Sequence, residues 1–180
     1  MNLMELFAGT LRYPDAQMPQ YCDQLQECLA REAPDAATEF QMYQKAMTEL
    51  TLASQCELYT RTFDLMAVCS PYAGIHLYGE DNYKRGGLMA RLKEVFTMNG
   101  LEIGNELPDH VTVLLRYCTV APAQEAQEVC EYLLRPTLES MITILSKTQN
   151  PFVHLLSALR CVVIPTAVTS STENTGVENI

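Results

Sequence analysis

The chain has 180 residues, of which 22 are acidic and 12 are basic, and its formal net charge is −10. A field of this sign repels nucleic acid phosphates and anionic lipid surfaces, so we expect neither as a partner. No window approaches the roughly 18 apolar residues of a membrane span, and no signal sequence is recognisable at the N-terminus, which predicts a cytoplasmic protein without membrane insertion.

Helical periodicity dominates the chain. Glycine occurs only eight times, no strand-like alternation is sustained, and apolar residues recur at steps of three and four. The pattern predicts an all-α, single-domain bundle of about seven to ten helices that occupies residues 1–166. Residues 167–180 are rich in Ser, Thr, Asn and Gly and have little to bury, which predicts a disordered tail.

The predicted helices of the N-terminal third are separated by prolines and polar caps. The first covers residues 2–11 and ends before Pro14, because a residue that precedes proline is pushed out of the helical region. The second stops at Pro34, and the third carries the apolar stripe that follows. Ser54-Gln55-Cys56-Glu57 fits a capping box and predicts the start of a fourth helix.

The middle of the chain predicts one short and one longer helix. Ser70-Pro71 combines a good N-cap with a proline suited to the first helical position, and Gly79 can end the short aromatic helix in a left-handed conformation. Asp81 is the predicted N-cap of the longer helix. Asn99-Gly100 is its predicted end.

Prolines also mark the predicted helices of the C-terminal part. Pro108 predicts the opening of one helix, and Pro122 separates that helix from the next. Pro136 predicts a break or kink in the helical stretch 123–147, because proline removes a donor and collides with the preceding turn. The last predicted helix, 152–163, carries its apolar residues on one face.

Residues that could support catalysis are few. The three histidines are His76, His110 and His154, and only His110 has a carboxylate beside it, that of Asp109. Neighbouring helical residues point in different directions, so we expect a capping Asp109 and a solvated His110 rather than a catalytic dyad. A metal- or small-molecule-dependent helical enzyme that uses Asp109, His110 and His76 is the alternative from another functional class.

Motifs for a metal, a nucleotide or a thiol pair are also missing from the sequence. Histidines at i and i+4, a phosphate-binding loop and the G-x-G-x-x-G pattern do not occur, so we predict no catalytic residue, no metal and no cofactor. Seven cysteines are present, an odd number, and none has C-x-x-C spacing. They are predicted to be reduced thiols that pack as small hydrophobic residues.

Aromatic, thioether and acidic side chains are concentrated in the central third of the chain. The aromatic and thioether group comprises Phe63, Met66, Tyr72, Tyr78 and Tyr83, and the acidic group comprises Asp64, Glu80, Asp81, Glu106 and Asp109. Such a mixture predicts an adaptable apolar groove for an amphipathic peptide with basic residues. The alternative is an aromatic core surrounded by solvated acidic caps.

Five motifs follow one another in an order that resembles a known family. They are Glu57-Leu58-Tyr59, Thr62-Phe63-Asp64, His76-Leu77-Tyr78-Gly79, Lys84-Arg85-Gly86 and Glu106-Leu107-Pro108-Asp109-His110. In order and spacing they resemble the nitrate reductase assembly chaperones within the NarJ/TorD/DmsD family of redox-enzyme maturation proteins. The resemblance extends over about residues 6–159. The segment 67–74 departs from it, because its apolar run is interrupted.

The resemblance implies an all-helical chaperone that is not an enzyme. Its implied partner is the N-terminal region of the nitrate reductase alpha subunit, and its implied role is to assist insertion of the molybdenum cofactor and assembly of the complex. The catalytic subunit of a dimethyl sulfoxide, selenate or chlorate-type reductase is an alternative partner. A homodimer is compatible with the family, whose helical members can exchange elements between protomers.

Matching positions imply which residues contact the client peptide or support the contact. The implied residues are Phe63, Tyr72, His76, Tyr78, Arg85, Glu106, Pro108, Asp109 and His110. Pro108 is expected to fix the backbone that enters a helix, and Asp109 to accept backbone amides or a basic side chain. His110 is expected to titrate near neutral pH.

Overall fold

The computed structural model describes residues 2–163, so the predicted tail at 167–180 and the predicted domain end at residue 166 lie outside the described residues. Within residues 2–163 the chain forms ten α-helical segments and no named strand, which confirms the all-α prediction. The helices are α1 (Leu3–Thr10), α2 (Met18–Glu32), α3 (Pro34–Thr48), α4 (Leu52–Phe63), α5 (Ala73–Tyr78), α6 (Tyr83–Met98), α7 (Val111–Val120), α8 (Ala123–Val129), α9 (Arg135–Leu145) and α10 (Phe152–Val163). Between residues 2 and 163, no helix has the length and apolarity needed to cross a membrane.

The helix α10 organises the core. It packs most extensively against α3 and also against α9, while α1 lies against α7 and α2. The ring of Phe152, at the start of α10, meets the ring of Phe63 at a centroid distance of 4.8 Å and that of Tyr43 at 5.5 Å. Such edge-on and tilted aromatic contacts add to the stabilisation from buried apolar area. Helices from both halves of the chain therefore share one core.

A buried polar contact also ties α4 to the start of α10. The Asn150 side-chain amide donates to Thr62 Oγ1 at 2.8 Å, and Asn150 Oδ1 accepts the Phe152 N–H at 3.0 Å. Both side chains are buried. Because buried polar groups are costly when unpaired, the contact fixes how α10 enters the core.

Two helix caps lie elsewhere than the sequence predicts. The N-cap of α4 is Thr51, whose hydroxyl accepts the Ser54 N–H at 3.2 Å, so the capping box predicted at Ser54 is wrong by three residues. The N-cap of α6 is Asn82, whose side chain accepts the Lys84 N–H at 3.0 Å, rather than Asp81. In both places two competent capping residues lie close together, and local preference does not choose between them.

The short helix α5 also begins later than predicted. Its first residue is Ala73, and Ser70 instead accepts the Tyr72 N–H at 3.2 Å from outside the helix. Gly79 ends α5 with φ of +86°, as predicted. This left-handed conformation is accessible to glycine at little cost and lets the chain turn towards α6.

A π-helical turn, Cys130–Leu134, joins α8 to α9 and marks the break predicted at Pro136. The Arg135 N–H donates to the Cys130 carbonyl, five residues earlier, instead of to the carbonyl four residues earlier. Proline cannot donate, and its ring collides with the carbonyl of the preceding turn. The wider turn accommodates Pro136 while the helical direction continues.

Candidate functional site

Two segments that are far apart in the sequence pair where α5 and α7 begin. Tyr72 and His110 form an isolated antiparallel bridge. The Ala73 N–H donates to the Asp109 carbonyl at 2.8 Å, and the Val111 N–H donates to the Pro71 carbonyl at 2.9 Å. This pairing joins the Glu-Leu-Pro-Asp-His motif to the start of α5.

Around this bridge six residues form what we call the Asp109 cluster. Its members are Tyr72, Gly74, Arg85, Glu106, Asp109 and His110. Three helices supply or flank them, since α5 holds Gly74, α6 holds Arg85 and α7 follows His110. The predicted site residues Tyr72, Arg85, Glu106, Asp109 and His110 are thus brought together.

The buried carboxylate of Asp109 is the centre of the cluster. Its side chain is fully buried, and that of the partner Arg85 is 15% exposed. Asp109 Oδ2 accepts from Arg85 Nε at 2.9 Å and from the Gly74 N–H at 3.2 Å, and Arg85 Nη2 lies 3.5 Å from Oδ1. Asp109 therefore accepts a backbone amide and a basic side chain, as expected. Removal of either partner from an ion pair buried to this degree strongly destabilises the folded protein, because the remaining charge is left buried and unpaired.

Gly74 is required by this ion pair, although its sequence context did not single it out as a site residue. A Cβ atom at this position would lie 2.6 Å from Arg85 Cγ and 2.7 Å from Asp109 Oδ2. Both distances are below any normal contact, so a side chain here would displace the guanidinium or the carboxylate. The sequence does show a glycine inside the interrupted segment 67–74, but it does not show that Arg85 and Asp109 pack against that glycine.

Tyr72 and Glu106 extend the cluster towards the surface. The Tyr72 hydroxyl donates to Glu106 Oε1 at 3.1 Å, and the same oxygen accepts the Leu107 N–H at 3.0 Å. The Arg85 guanidinium lies 5.4 Å from the centroid of the Tyr72 ring. Burial, and then the charge of Glu106, raise the pKa of Tyr72 to about 12. The phenol therefore remains a protonated donor at neutral pH.

His110 is the N-cap of α7, which corrects the predictions that Pro108 opens this helix, that Asp109 caps it and that His110 is solvated. Its Nδ1 accepts the Thr112 N–H at 3.2 Å, so the helix begins after His110 and neither Pro108 nor Asp109 caps it. The side chain is buried rather than solvated. Burial lowers the pKa of His110 below its usual value, against the opposing charges of Glu106 and Asp109. The imidazole is therefore neutral at physiological pH, with the proton on Nε2.

His76 is anchored separately, outside the Asp109 cluster. Its Nε2 lies 2.7 Å from the Ser70 carbonyl oxygen, and its Nδ1 lies 2.8 Å from Ser140 Oγ. A carbonyl oxygen can only accept, so Nε2 donates to Ser70, while Nδ1 is within hydrogen-bond distance of the Ser140 hydroxyl. His76 thus connects α5 to α9 and forms no pair with His110.

The remaining predicted residues have different surroundings. Phe63 is buried in the core against Phe152, Pro108 is buried in the turn before α7, and Tyr78 is exposed at the end of α5. Met66, which was expected in the same groove as Phe63, is 99% exposed and has φ of +52°. Contact of these residues with a peptide stays a prediction.

The chemistry of the cluster is that of a structural anchor. Among residues 2–163, no group of three or more His, Cys, Asp or Glu side chains is arranged to hold a metal ion. Asp109 Oδ2 and His110 Nδ1 already form internal hydrogen bonds. The cluster therefore holds the Glu106–His110 loop in one position relative to α5 and α6.

Comparison with known proteins supports the resemblance seen in the motifs. The NarJ proteins of Escherichia coli K12 and O157:H7, each described as a nitrate reductase molybdenum cofactor assembly chaperone, are 29% identical over 122 residues, which is 66% of this chain and 51% of theirs. This chain therefore matches about half the length of these curated relatives. The crystal structure of a candidate redox enzyme maturation protein from Archaeoglobus fulgidus superposes on this chain with a TM-score of 0.61 at 16% sequence identity. The superposition covers 89% of this chain and 91% of the Archaeoglobus chain.

Because the sequence identity to that crystal structure is only 16%, the likeness shows a shared fold and nothing more. Family membership rests instead on the sequence, since the family model for the nitrate reductase delta subunit matches residues 15–158. That range contains the Asp109 cluster and all five motifs. The chain therefore belongs to the nitrate reductase delta subunit family.

Proposed function

We propose that this chain is a cytoplasmic, non-catalytic chaperone for the catalytic alpha subunit of a respiratory nitrate reductase. It binds the N-terminal segment of that subunit and assists insertion of the molybdenum cofactor and assembly of the complex, without a cofactor of its own. Family membership and the described role of the Escherichia coli NarJ proteins support this proposal. The catalytic subunits of dimethyl sulfoxide, selenate and chlorate-type reductases are the alternative clients.

One observation supports peptide binding most directly. Two exposed aromatic side chains are close to members of the Asp109 cluster along the chain, since Tyr78 ends α5, which holds Gly74, and Tyr83, which is 85% exposed, begins α6 two residues before Arg85. Aromatic side chains held on rigid elements are well suited to serve as anchors in an interface.

Charge in the same segment favours a basic partner. The exposed acidic residues Glu80 and Asp81 lie between the two tyrosines, and the whole chain has a net charge of −10. An amphipathic helix with basic residues would thus find apolar contacts and complementary charge together. We expect its binding to weaken as salt concentration rises, because exposed charges are screened.

Titration calorimetry tests the proposal. The full chain is titrated with a synthetic peptide of the N-terminal segment of a nitrate reductase alpha subunit, and a scrambled peptide is the control. Tyr83→Ala is expected to weaken binding by about 1 kcal/mol or more, roughly fivefold, because an exposed aromatic anchor is removed without loss of core packing. Tyr132→Ala, which removes a 65% exposed tyrosine from the π turn, is the matched control and should leave affinity unchanged.

The outcomes of this titration are distinct. Equal affinity for the authentic and the scrambled peptide would contradict sequence-specific recognition. Binding of another molybdoenzyme peptide, with none of the nitrate reductase peptide, would transfer the proposal to that client. Unchanged affinity in the Tyr83 variant would place the interface elsewhere on the chain, and equal losses in the Tyr83 and Tyr132 variants would show that the effect is not specific to the segment that contains Tyr83.

A further inference from the structure

Two cysteines lie next to each other where α7 packs against the π turn Cys130–Leu134. The sulfur atoms of Cys118 and Cys130 are 3.9 Å apart. Cys118 lies in the last turns of α7, and Cys130 begins the π turn that follows α8. All seven cysteines are free thiols in this structure, so the contact joins two unmodified groups.

We propose that Cys118 and Cys130 form an oxidation site that closes into a reversible intramolecular disulfide when a low-molecular-weight disulfide is the oxidant. A sulfur–sulfur bond is about 2 Å long, so the two atoms must approach by about 2 Å. Rotation of the side chains and a small shift of the π turn provide this movement. Cys130 has α-helical backbone angles, but its carbonyl already accepts a π-helical hydrogen bond from the Arg135 N–H, so the shift falls in a turn that departs from the regular α-helical pattern.

Access of an oxidant favours Cys130 as the attacking residue. The side chains of Cys118 and Cys130 are both partly exposed, but only that of Cys130 lines a surface cavity of about 410 Å³, together with Glu131 and Arg135. The hydrogen bond from Cys118 lowers the pKa of the Cys130 thiol, while burial opposes this change. The same contact, followed by burial, raises the pKa of Cys118. Cys130 therefore provides the thiolate, and Cys118 is the resolving thiol.

The reaction is a pair of thiol–disulfide exchanges. The Cys130 thiolate attacks one sulfur of oxidised glutathione, which forms a mixed disulfide and releases one glutathione thiolate. Cys118 loses its proton to solvent, and its sulfur attacks Cys130 Sγ, which forms the internal bond and releases the second glutathione thiolate. The protein dithiol is oxidised by two electrons, oxidised glutathione is reduced, and the two thiol protons end on the two released glutathiones.

The other cysteines provide internal comparisons. Burial raises the pKa of both Cys22 and Cys69 to about 12, which makes them poor nucleophiles at neutral pH. Cys161 is partly exposed, but its pKa is raised as well, and burial is the largest cause. Cys28 and Cys56 are also partly exposed, but their sulfur atoms contact Arg31 and the Pro14 carbonyl, respectively. We therefore expect formation of an internal disulfide to be selective for Cys118 and Cys130, whose sulfur atoms are 3.9 Å apart.

Peptide mapping after equilibration with glutathione redox buffers tests the proposal. The full-length protein is quenched with N-ethylmaleimide and digested with trypsin, which leaves both cysteines in one peptide, 117–147, because Arg135 precedes a proline. The expected product is this peptide without label and lighter by two hydrogen atoms. Cleavage after Glu125 and Glu128 should then release residues 126–128 and leave the Cys118 and Cys130 fragments linked until a reductant is added.

Variants separate the expected result from competing ones. Cys118→Ser should accumulate a mixed glutathione disulfide on Cys130, Cys130→Ser should remain unmodified at Cys118, and Cys161→Ser should behave as the parent. Full labelling of both cysteines in buffers that oxidise a reference dithiol would overturn the proposal. A stable mixed disulfide on the parent protein, or an internal disulfide between other cysteines, would overturn it as well. None of these outcomes affects the proposed peptide binding.

Discussion

Replacement of Gly74 by alanine is the sharpest test of the Asp109 cluster. The new Cβ atom would lie 2.6 Å from Arg85 Cγ and 2.7 Å from Asp109 Oδ2, so the fully buried carboxylate must lose the guanidinium or move. Loss of one partner from a buried ion pair costs about 3–5 kcal/mol. Alanine is about 1 kcal/mol better than glycine inside a helix, which offsets part of this cost. We expect a net loss of about 2–4 kcal/mol in the free energy of unfolding.

Urea denaturation followed by circular dichroism measures this loss, and a glycine from α6 provides the matched control. Gly86 is exposed, and a Cβ atom there would meet nothing within 4 Å. Gly86→Ala should therefore stabilise the protein by about 0.5–1 kcal/mol through helix propensity alone. If Gly74→Ala stabilised the protein as Gly86→Ala does, the close approach at Asp109 would be absent and the reasoning refuted.

The remaining predictions concern two buried polar residues. Because burial lowers the folded-state pKa of His110 below about 6.5, its neutral form contributes stability that is complete above about pH 6.5 and is lost as pH falls towards the folded-state pKa. His110→Asn keeps a good N-cap without this titration, so thermal midpoints measured from pH 7.5 to 5 should fall less in the variant, and parallel curves would exclude His110 as the cause. Asn150→Ala removes the donor to Thr62 and the acceptor for the Phe152 amide, and should cost about 1–3 kcal/mol in urea denaturation. Replacement of the exposed Asn105 should cost almost nothing, and an equal loss at both sites would argue against the buried contact.

Helix positions could be predicted largely from the sequence, because they depend on local chemistry. The left-handed Gly79 and the irregular turn before Pro136 occur where steric rules for these residues require them. The caps at Thr51 and Asn82 were missed, since a second capping residue lies nearby in each case. Helix existence is thus more robust than helix boundaries.

The candidate site could be predicted only as a set of residues. The motifs contain Arg85 and Asp109, and the resemblance placed these two residues and Tyr72 in one functional region. It did not distinguish Phe63, whose ring is buried against Phe152, from the exposed Tyr78. Apolar periodicity shows which face of a helix is buried, but it does not identify what that face contacts.

The sequence by itself determined the all-helical class, the approximate helices and the family. Only the tertiary structure decided that Asp109 pairs with Arg85 against the Gly74 amide, and that His110 is a buried neutral cap. These contacts join residues that are 24 and 35 positions apart. Their geometry is set by the packing of α5, α6 and α7 at the bridge between Tyr72 and His110, and local residue preferences contain no information about that packing.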